Sequence, residues 1–198
     1  MSKLLDSHKV NLDDMLGNGK LYIVPDFQRD YSWDEENWED LWFDMVELLD
    51  NKSIHYMGSI VLLETDKPKE YRVVDGQQRL TTLSLFILAV INFLKGLVNK
   101  NIDPKANQDR IAVFKNKYIG VKPATTLFYT TKLKLNKNNN SFYKQYLTEF
   151  EDPVNVSKLK PSEKLLYKGY KYFCKQIEGY FNGDNGLRIS SFLEETVA

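Results

Sequence analysis

The stretch Tyr71-Arg72-Val73-Val74-Asp75-Gly76-Gln77-Gln78-Arg79-Leu80-Thr81-Thr82-Leu83 decides the reading of this chain. Tyr71 to Val74 is short and rich in β-branched residues, as a strand is. Leu80-Thr81-Thr82-Leu83-Ser84-Leu85-Phe86-Ile87-Leu88 begins a long apolar helix. Asp75 to Arg79 is therefore a strand-to-helix turn, bent at Gly76. Such a turn aims free backbone N–H groups at one spot, and the helix dipole makes that spot favourable for an anion. Arg79 lies in the first helical turn, where the dipole disfavours a cation. It calls for a partner there, either a bound phosphate or a carboxylate such as Asp75. A simpler reading stands beside this one. Asp75 and Gln78 have capping-box spacing, so Asp75 caps the helix and Arg79 pairs with it.

Upstream, Leu12 to Leu16 reads as a short helix stopped by Gly17 and Gly19, and Leu21 to Val24 as a strand ended by Pro25. The loop Asp26-Phe27-Gln28-Arg29-Asp30-Tyr31-Ser32-Trp33 follows. Ser32 and Glu35 have capping-box spacing for a helix to about Asp50, with Trp38, Leu41, Trp42, Met45, Val46 and Leu49 on one face. Met57 to Leu63 reads as a strand that pairs antiparallel with Tyr71 to Val74 through the turn Asp66 to Lys69. The helix from Gln77 to about Leu97 is apolar nearly all round, which implies burial on most sides. Its apolar run, Leu80 to Leu94, is shorter than a membrane span of roughly 20 apolar residues and contains Thr81, Thr82, Ser84 and Asn92, so it is expected in a core rather than a bilayer.

Downstream, Asn99 to Asp109 reads as a loop, Ile111 to Tyr118 as a short helix, and Leu127 to Leu135 as an exposed, interrupted strand. Asn136 to Asn140 reads as a turn with a disordered character. Ser141 is the expected cap of a helix to about Phe150, Pro153 to Pro161 a linker, and Ser162 the start of a helix carrying Leu165, Leu166, Tyr170, Phe173, Ile177 and Phe181. Asn182 to Gly186 is a loop, and Ser191 with Glu194 has capping-box spacing for a final helix. The fold class is α+β: a small mixed sheet with packed helices over residues 1–98, then a mostly helical part over 99–198. The stop at Ala198 suggests a piece of a longer protein.

The chain has 198 residues, 42% of them hydrophobic and 27% charged, with no net charge. Those are ordinary values for a globular chain with material for a core. A lone cysteine, Cys174, excludes an internal disulfide and fits a reducing cytoplasm. The N-terminus has no signal-peptide apolar run. Charge is unevenly spread: Asp30 to Glu70 holds 12 acidic residues against 3 basic, and Lys95 to Lys144 holds 11 basic against 2 acidic. The basic half either faces nucleic acid or solvates its own helices and loops.

Three patches are candidates for chemistry. One is the Asp75 to Arg79 turn. Another is the Phe27 to Trp33 loop, where Arg29 can clamp a phosphate and an aromatic such as Tyr31 can stack on a base. At least two of Phe27, Tyr31 and Trp33 are expected to be core anchors instead. The third is His55-Tyr56-Met57-Gly58-Ser59, where Gly58 permits a close backbone approach and His55 reads as a turn residue. Zinc spacing, a Walker A loop and a nucleophile elbow are all missing, and two histidines, His8 and His55, do not make an H-N-H centre.

Val24-Pro25-Asp26-Phe27-Gln28-Arg29-Asp30-Tyr31-Ser32-Trp33, then Tyr56-Met57-Gly58-Ser59-Ile60-Val61, then Val74-Asp75-Gly76-Gln77-Gln78-Arg79-Leu80-Thr81-Thr82-Leu83 resemble, in order, the motif series of the GmrS-like family. This is the N-terminal domain of GmrSD-type modification-dependent restriction enzymes and related phage-defence proteins. The resemblance is close over residues 10 to 95 and looser beyond, and a later Asn-Arg-Gly-like family motif is not found before Ala198. It implies a fold similar to ParB and sulfiredoxin, nucleotide-dependent restriction of modified DNA, and an HNH-type nuclease domain as partner. It implies that Gly76, Gln77 and Gln78 cradle the phosphates of a nucleoside triphosphate with Arg79 and Arg29, and that Tyr31 is at the nucleotide. Asp75 would hold Mg²⁺ or a water for attack, and Gln28 would orient that water or read the base. Two other readings stay open: a non-catalytic ParB-like DNA-binding module, and a toxin-like or scaffold protein in which the turn is only a structural cap.

Overall fold

A computed structural model describes residues 10–51, 58–122, 124, 125, 127 and 129–197. His55, Tyr56 and Met57 lie outside the described residues. The order begins with α1 (Leu12–Leu16), β1 (Leu21–Ile23), α2 (Glu35–Asn51), β2 (Val61–Glu64), β3 (Glu70–Asp75) and α3 (Gln77–Asn99). It continues with α4 (Pro104–Phe114), a π-helical turn (Lys115–Ile119), β4 (Gly120–Val121), β5 (Thr130–Thr131) and β6 (Leu133–Lys134). It ends with α5 (Asn140–Phe142), a second π-helical turn (Tyr143–Leu147), α6 (Pro161–Tyr180) and α7 (Leu187–Val197).

The four-stranded sheet has the order β2-β3-β1-β6. β1 is parallel to both β3 and β6, with Tyr22 opposite Tyr71 and Leu133, while β2 is antiparallel to β3 as the intervening turn predicts. The result is the expected mixed α+β sheet. Its fourth strand comes from far downstream: Leu133 and Leu135 are both buried, not exposed. Alternation there is interrupted because the strand is only two residues long.

α3 is the spine of the core. Every residue from Leu80 to Ile91 is buried. Phe86 sits edge-on to Phe173 of α6 and Phe192 of α7, with ring centroids 5.8 Å apart in both cases. Trp42 of α2 closes the same cluster edge-on to Phe192. A helix this apolar has the length to cross a membrane, but 72% of its most apolar stretch is buried by neighbouring elements. Its hydrophobicity is satisfied inside the protein.

Several local expectations give way to stronger partners. The segment read as a loop from Asn99 to Asp109 contains most of α4: Pro104 stands in its first turn, where a missing N–H costs nothing. The helix expected from Ile111 thus begins earlier, at Pro104, and a polar group anchors the added part. Asn107 is fully buried and donates to the carbonyls of Ile102 and Asn185. Ser141 does not begin a helix; α5 starts at Asn140. Ser191 lies inside α7, whose first N–H groups are taken by the Asp184 carboxylate through Arg188 and Ile189. The strand expected from Met57 is formed only from Val61, and the Pro153 to Pro161 linker holds a 3-10 turn at Val156–Lys158.

Candidate functional site

β3 ends at Asp75, and Gly76 turns the chain into α3 with φ 86° and ψ 8°. Glycine tolerates this left-handed conformation, whereas a side chain strains it. Space forbids one as well: a Cβ on Gly76 would lie 2.9 Å from Ile60 Cγ1 and 3.2 Å from the Ser59 carbonyl. No side chain caps α3. The capping-box expectation for Asp75 and Gln78 is therefore not met. Asp75 is exposed and its carboxylate has no partner among the described residues. The first N–H groups of α3 thus lack the side-chain acceptor that ordinarily satisfies them.

Gln78 is buried because it serves another purpose. Its Oε1 accepts from Ser32 N at 2.8 Å and its Nε2 donates to Asp30 O at 3.1 Å. One side chain thus holds the backbone of the 26–33 loop on both sides of Tyr31. This also explains why Ser32 does not cap α2. Its N–H is bound to Gln78, and α2 starts later, with Asn37 Oδ1 accepting from Asp34 N. Gln77 is buried too and donates to Gln28 Oε1 at 3.0 Å, while Gln28 Nε2 donates to the Val74 carbonyl at 2.8 Å. Gln28, Gln77 and the peptide preceding Asp75 form one chain of amides.

Tyr31 is not a free aromatic surface. It is 4% exposed. Trp38 Nε1 donates to its hydroxyl at 2.9 Å, and the hydroxyl lies 2.7 Å from Thr82 Oγ1, which itself donates to Gln78 O. The Thr82 proton is committed to that carbonyl, so the Tyr31 hydroxyl is the donor to Thr82. Burial pushes the phenol up to about 12, against the lowering effect of Thr82 and Trp38, so it stays neutral at ordinary pH. Tyr31 ties α2, the loop and α3 together; the expected stacking role does not fit its position. Trp33 is also packed against the core, while Phe27 is 83% exposed at the loop tip.

The loop is held from below by residues that read as a disordered turn. Asn136 and Asn139 are each 2% exposed. Asn136 Nδ2 donates to Gln28 O and to Asp30 Oδ1, and Asn138 Nδ2 also donates to Asp30. Asn139 Oδ1 accepts from Tyr31 N at 2.9 Å, and its Nδ2 donates to Ser162 Oγ at 2.7 Å. Long-range partners order this turn, and a local reading has no view of them. The signal available was the run of asparagines itself, whose amides can satisfy loop backbone groups that lack a strand partner.

Arg29 is exposed, and its guanidinium makes no hydrogen bond or ion pair among the described residues. It borders a narrow cleft with Gln77, Gln78, Asn136 and Asn139. The cleft encloses about 10 Å³, room for roughly one water, so a larger ligand has to sit at its mouth. Arg79 does not pair with Asp75. Its Nη1 donates to the Ser59 carbonyl at 2.9 Å, and its guanidinium lies flat against Gly58. Among the described residues, four of its five N–H donors remain for another partner. Gly58 has φ 85°, and a Cβ there would come within 2.8 Å of Arg79 Cζ. Gly58→Ala is expected to lower stability by about 1–2 kcal/mol through its left-handed backbone. Gly96→Ala, with nothing within 4 Å, is expected to be neutral or stabilising by up to about 1 kcal/mol. Denaturant midpoints of the two variants check the contrast.

The turn, the loop and both arginines thus surround the start of α3, and their arrangement suits an anion. Residues 4–197 match the family model described as GmrSD restriction endonuclease, N-terminal domain. No curated protein matches the chain.

Proposed function

The chain belongs to the family of GmrSD restriction endonuclease N-terminal domains, and on that premise we propose that it is a nucleotide-binding sensor that hydrolyses a nucleoside triphosphate to control restriction of modified DNA. The family gives the restriction and phage-defence setting. The nucleotide is our reading of the site. The observation that carries it is an uncapped helix start behind a left-handed glycine, flanked by an exposed arginine with no partner among the described residues.

In this reading the phosphates lie at the mouth of the cleft. The N–H groups of Gln77 and Gln78, next to Gly76, donate to them, and the dipole of the 23-residue α3 adds to the attraction. Arg29 and the free donors of Arg79 add charge-assisted bonds. Asp75 and Gln28 sit on either side of the Val74 peptide, where a carboxylate and a side-chain amide can hold and orient a water for attack on the terminal phosphate. Gln28 retains one N–H and one lone pair for that task, because its other amide positions are held by Val74 and Gln77. A single exposed carboxylate fits Mg²⁺, which is ordinarily held by one or two carboxylates together with substrate phosphates. Such an ion would offset the repulsion between Asp75 and a polyphosphate. Among the described residues no group of three or more His, Cys, Asp or Glu gathers into an all-protein cage. DNA cleavage itself we assign to an HNH-type partner domain, as the family resemblance implies.

The test is a thermal-shift panel of nucleoside and deoxynucleoside triphosphates, with and without Mg²⁺, on the wild type, Arg29→Ala and Arg79→Ala. One or more nucleotides should raise the melting temperature of the wild type. Arg29→Ala should weaken binding by roughly tenfold or more, the usual effect of losing a charge-assisted bond, with the unliganded melting point unchanged because Arg29 holds nothing else. Arg79→Ala should weaken binding and also lower the unliganded melting point, because it releases Ser59. Equal affinity in wild type and Arg29→Ala would remove the phosphate role.

A further inference from the structure

Part of the basic stretch from Lys95 to Lys144 finds its explanation inside the fold. Lys95 lies over the Phe150 ring at 4.1 Å, Lys115 over Tyr129 at 4.9 Å, and Lys117 pairs with Asp13 at 2.6 Å. Lys132 is buried and donates to the carbonyls of Leu16 and Lys117. Lys134 and Lys144 are among the rest. Both are exposed and neither forms an ion pair among the described residues.

These two lysines line the same groove, of about 350 Å³, together with Lys67, Thr131 and Asn140. The groove runs along β1 and is lined by Leu21, Tyr22 and Ile23. One carboxylate, Glu70, lines it, and Lys67 already lies 3.6 Å from that group. Arg72, exposed and without a partner among the described residues, extends the positive surface along β3, in register with Ile23. The groove starts beside Leu21 and Glu70, at the beginning of β1 and β3. Glu70 is separated from Asp75 by the length of β3, roughly 16 Å at the usual strand rise. It is therefore a different surface from the turn at Asp75.

We propose that this groove is a DNA-backbone site, in which Lys134 and Lys144 contact phosphates, Lys67 and Arg72 flank them, and Thr131 and Asn140 add neutral donors. The choice of DNA as the polyanion rests on the restriction reading; the choice of surface rests on the groove and its unpaired cations. Contacts of this kind position a protein on a duplex and carry no sequence information. Recognition of a modified base then falls to other surfaces.

The test is fluorescence anisotropy of a labelled duplex over a series of salt concentrations, with the wild-type chain, Lys134→Ala/Lys144→Ala, and a control pair on the exposed side of α6, Lys168→Ala/Lys175→Ala. The groove variant should bind about tenfold more weakly at low salt. The slope of log affinity against log salt should flatten by roughly 2, about one for each phosphate no longer neutralised. The control pair should change neither. No binding by the wild type, an unchanged slope in the groove variant, or equal losses in both pairs would overturn the proposal. Nucleotide-induced thermal shifts on the same samples report on the Asp75 turn separately: a retained shift leaves the nucleotide reading standing when the groove fails, and a lost shift with intact DNA binding does the reverse.

Discussion

Asp75→Ala is expected to abolish nucleoside triphosphate hydrolysis while the protein still binds the nucleotide. The carboxylate is exposed, caps nothing and has no partner among the described residues. Its loss therefore costs the fold little. Near a polyphosphate the same carboxylate is repulsive, so a purely structural or binding role gives no reason for it to stand beside an anion site. Holding a water or a metal ion at the terminal phosphate does give one. A group that positions or deprotonates the attacking water contributes roughly 10²–10⁴-fold, and that is the expected fall in turnover number. Affinity in the absence of Mg²⁺ should stay the same or rise as the repulsion is removed. Steady-state hydrolysis and a nucleotide titration on the same preparation separate the two effects. A variant that binds and hydrolyses like the wild type would take Asp75 out of the mechanism. Asp75→Asn refines the result: it keeps a weak water ligand without the charge and should also lose turnover.

Asn139→Ala is the change expected to harm the fold most. Its side chain joins three parts of the protein that are far apart in sequence. From the turn at 136–140 it accepts from Tyr31 N in the loop and donates to Ser162 Oγ at the start of α6. With the amide removed, the buried Tyr31 N–H and the buried Ser162 hydroxyl are left without that partner. Each unsatisfied buried polar group costs about 1–3 kcal/mol, and the expected loss is roughly 3 kcal/mol. For a chain of this size that is a fall in melting temperature of roughly 6–12 °C. The loop bearing Gln28 and Arg29 should loosen with it, so nucleotide affinity should fall too, although Asn139 lies beneath the proposed ligand. Asn138→Ala provides the comparison. Asn138 is only half-buried and bonds to the Asp30 carboxylate, which keeps Asn136 as a second donor. It should lose about 1 kcal/mol or less.

The strand-turn-helix around Gly76 was legible because its signals are local. A β-branched strand, a glycine at the bend and an apolar run occupy consecutive residues, and each agrees with the others. The antiparallel partner of that strand was legible for the same reason, being separated from it by one tight turn. The capping boxes at Ser32 and Ser191 failed because competing groups took the N–H groups concerned. The competitor is distant in sequence for Ser32 and only four to five residues away at α7. Gln78 holds the Ser32 N–H and Asp184 holds the start of α7. At Asp75 the left-handed glycine moves the start of the helix past the carboxylate. The edge strand at Leu133 and the asparagine cradle were hidden because their partners lie more than 100 residues away. Of the candidate site, the turn, the two arginines and the glutamines were singled out in the sequence. That Gln28 and Gln77 are joined, that Gln78 staples the loop, and that Tyr31 is turned inward required the fold.

The central claim is that phosphate lies on the backbone at the start of α3. Amide hydrogen exchange with and without the nucleotide that gives the largest thermal shift tests this most directly, because it reads those N–H groups themselves. Slower exchange confined to peptides covering residues 74–82 and 25–33, and absent in Arg29→Ala at the same nucleotide concentration, is the predicted result. Stabilisation of the protein by nucleotide with no protection in those two segments, and protection elsewhere instead, would contradict it.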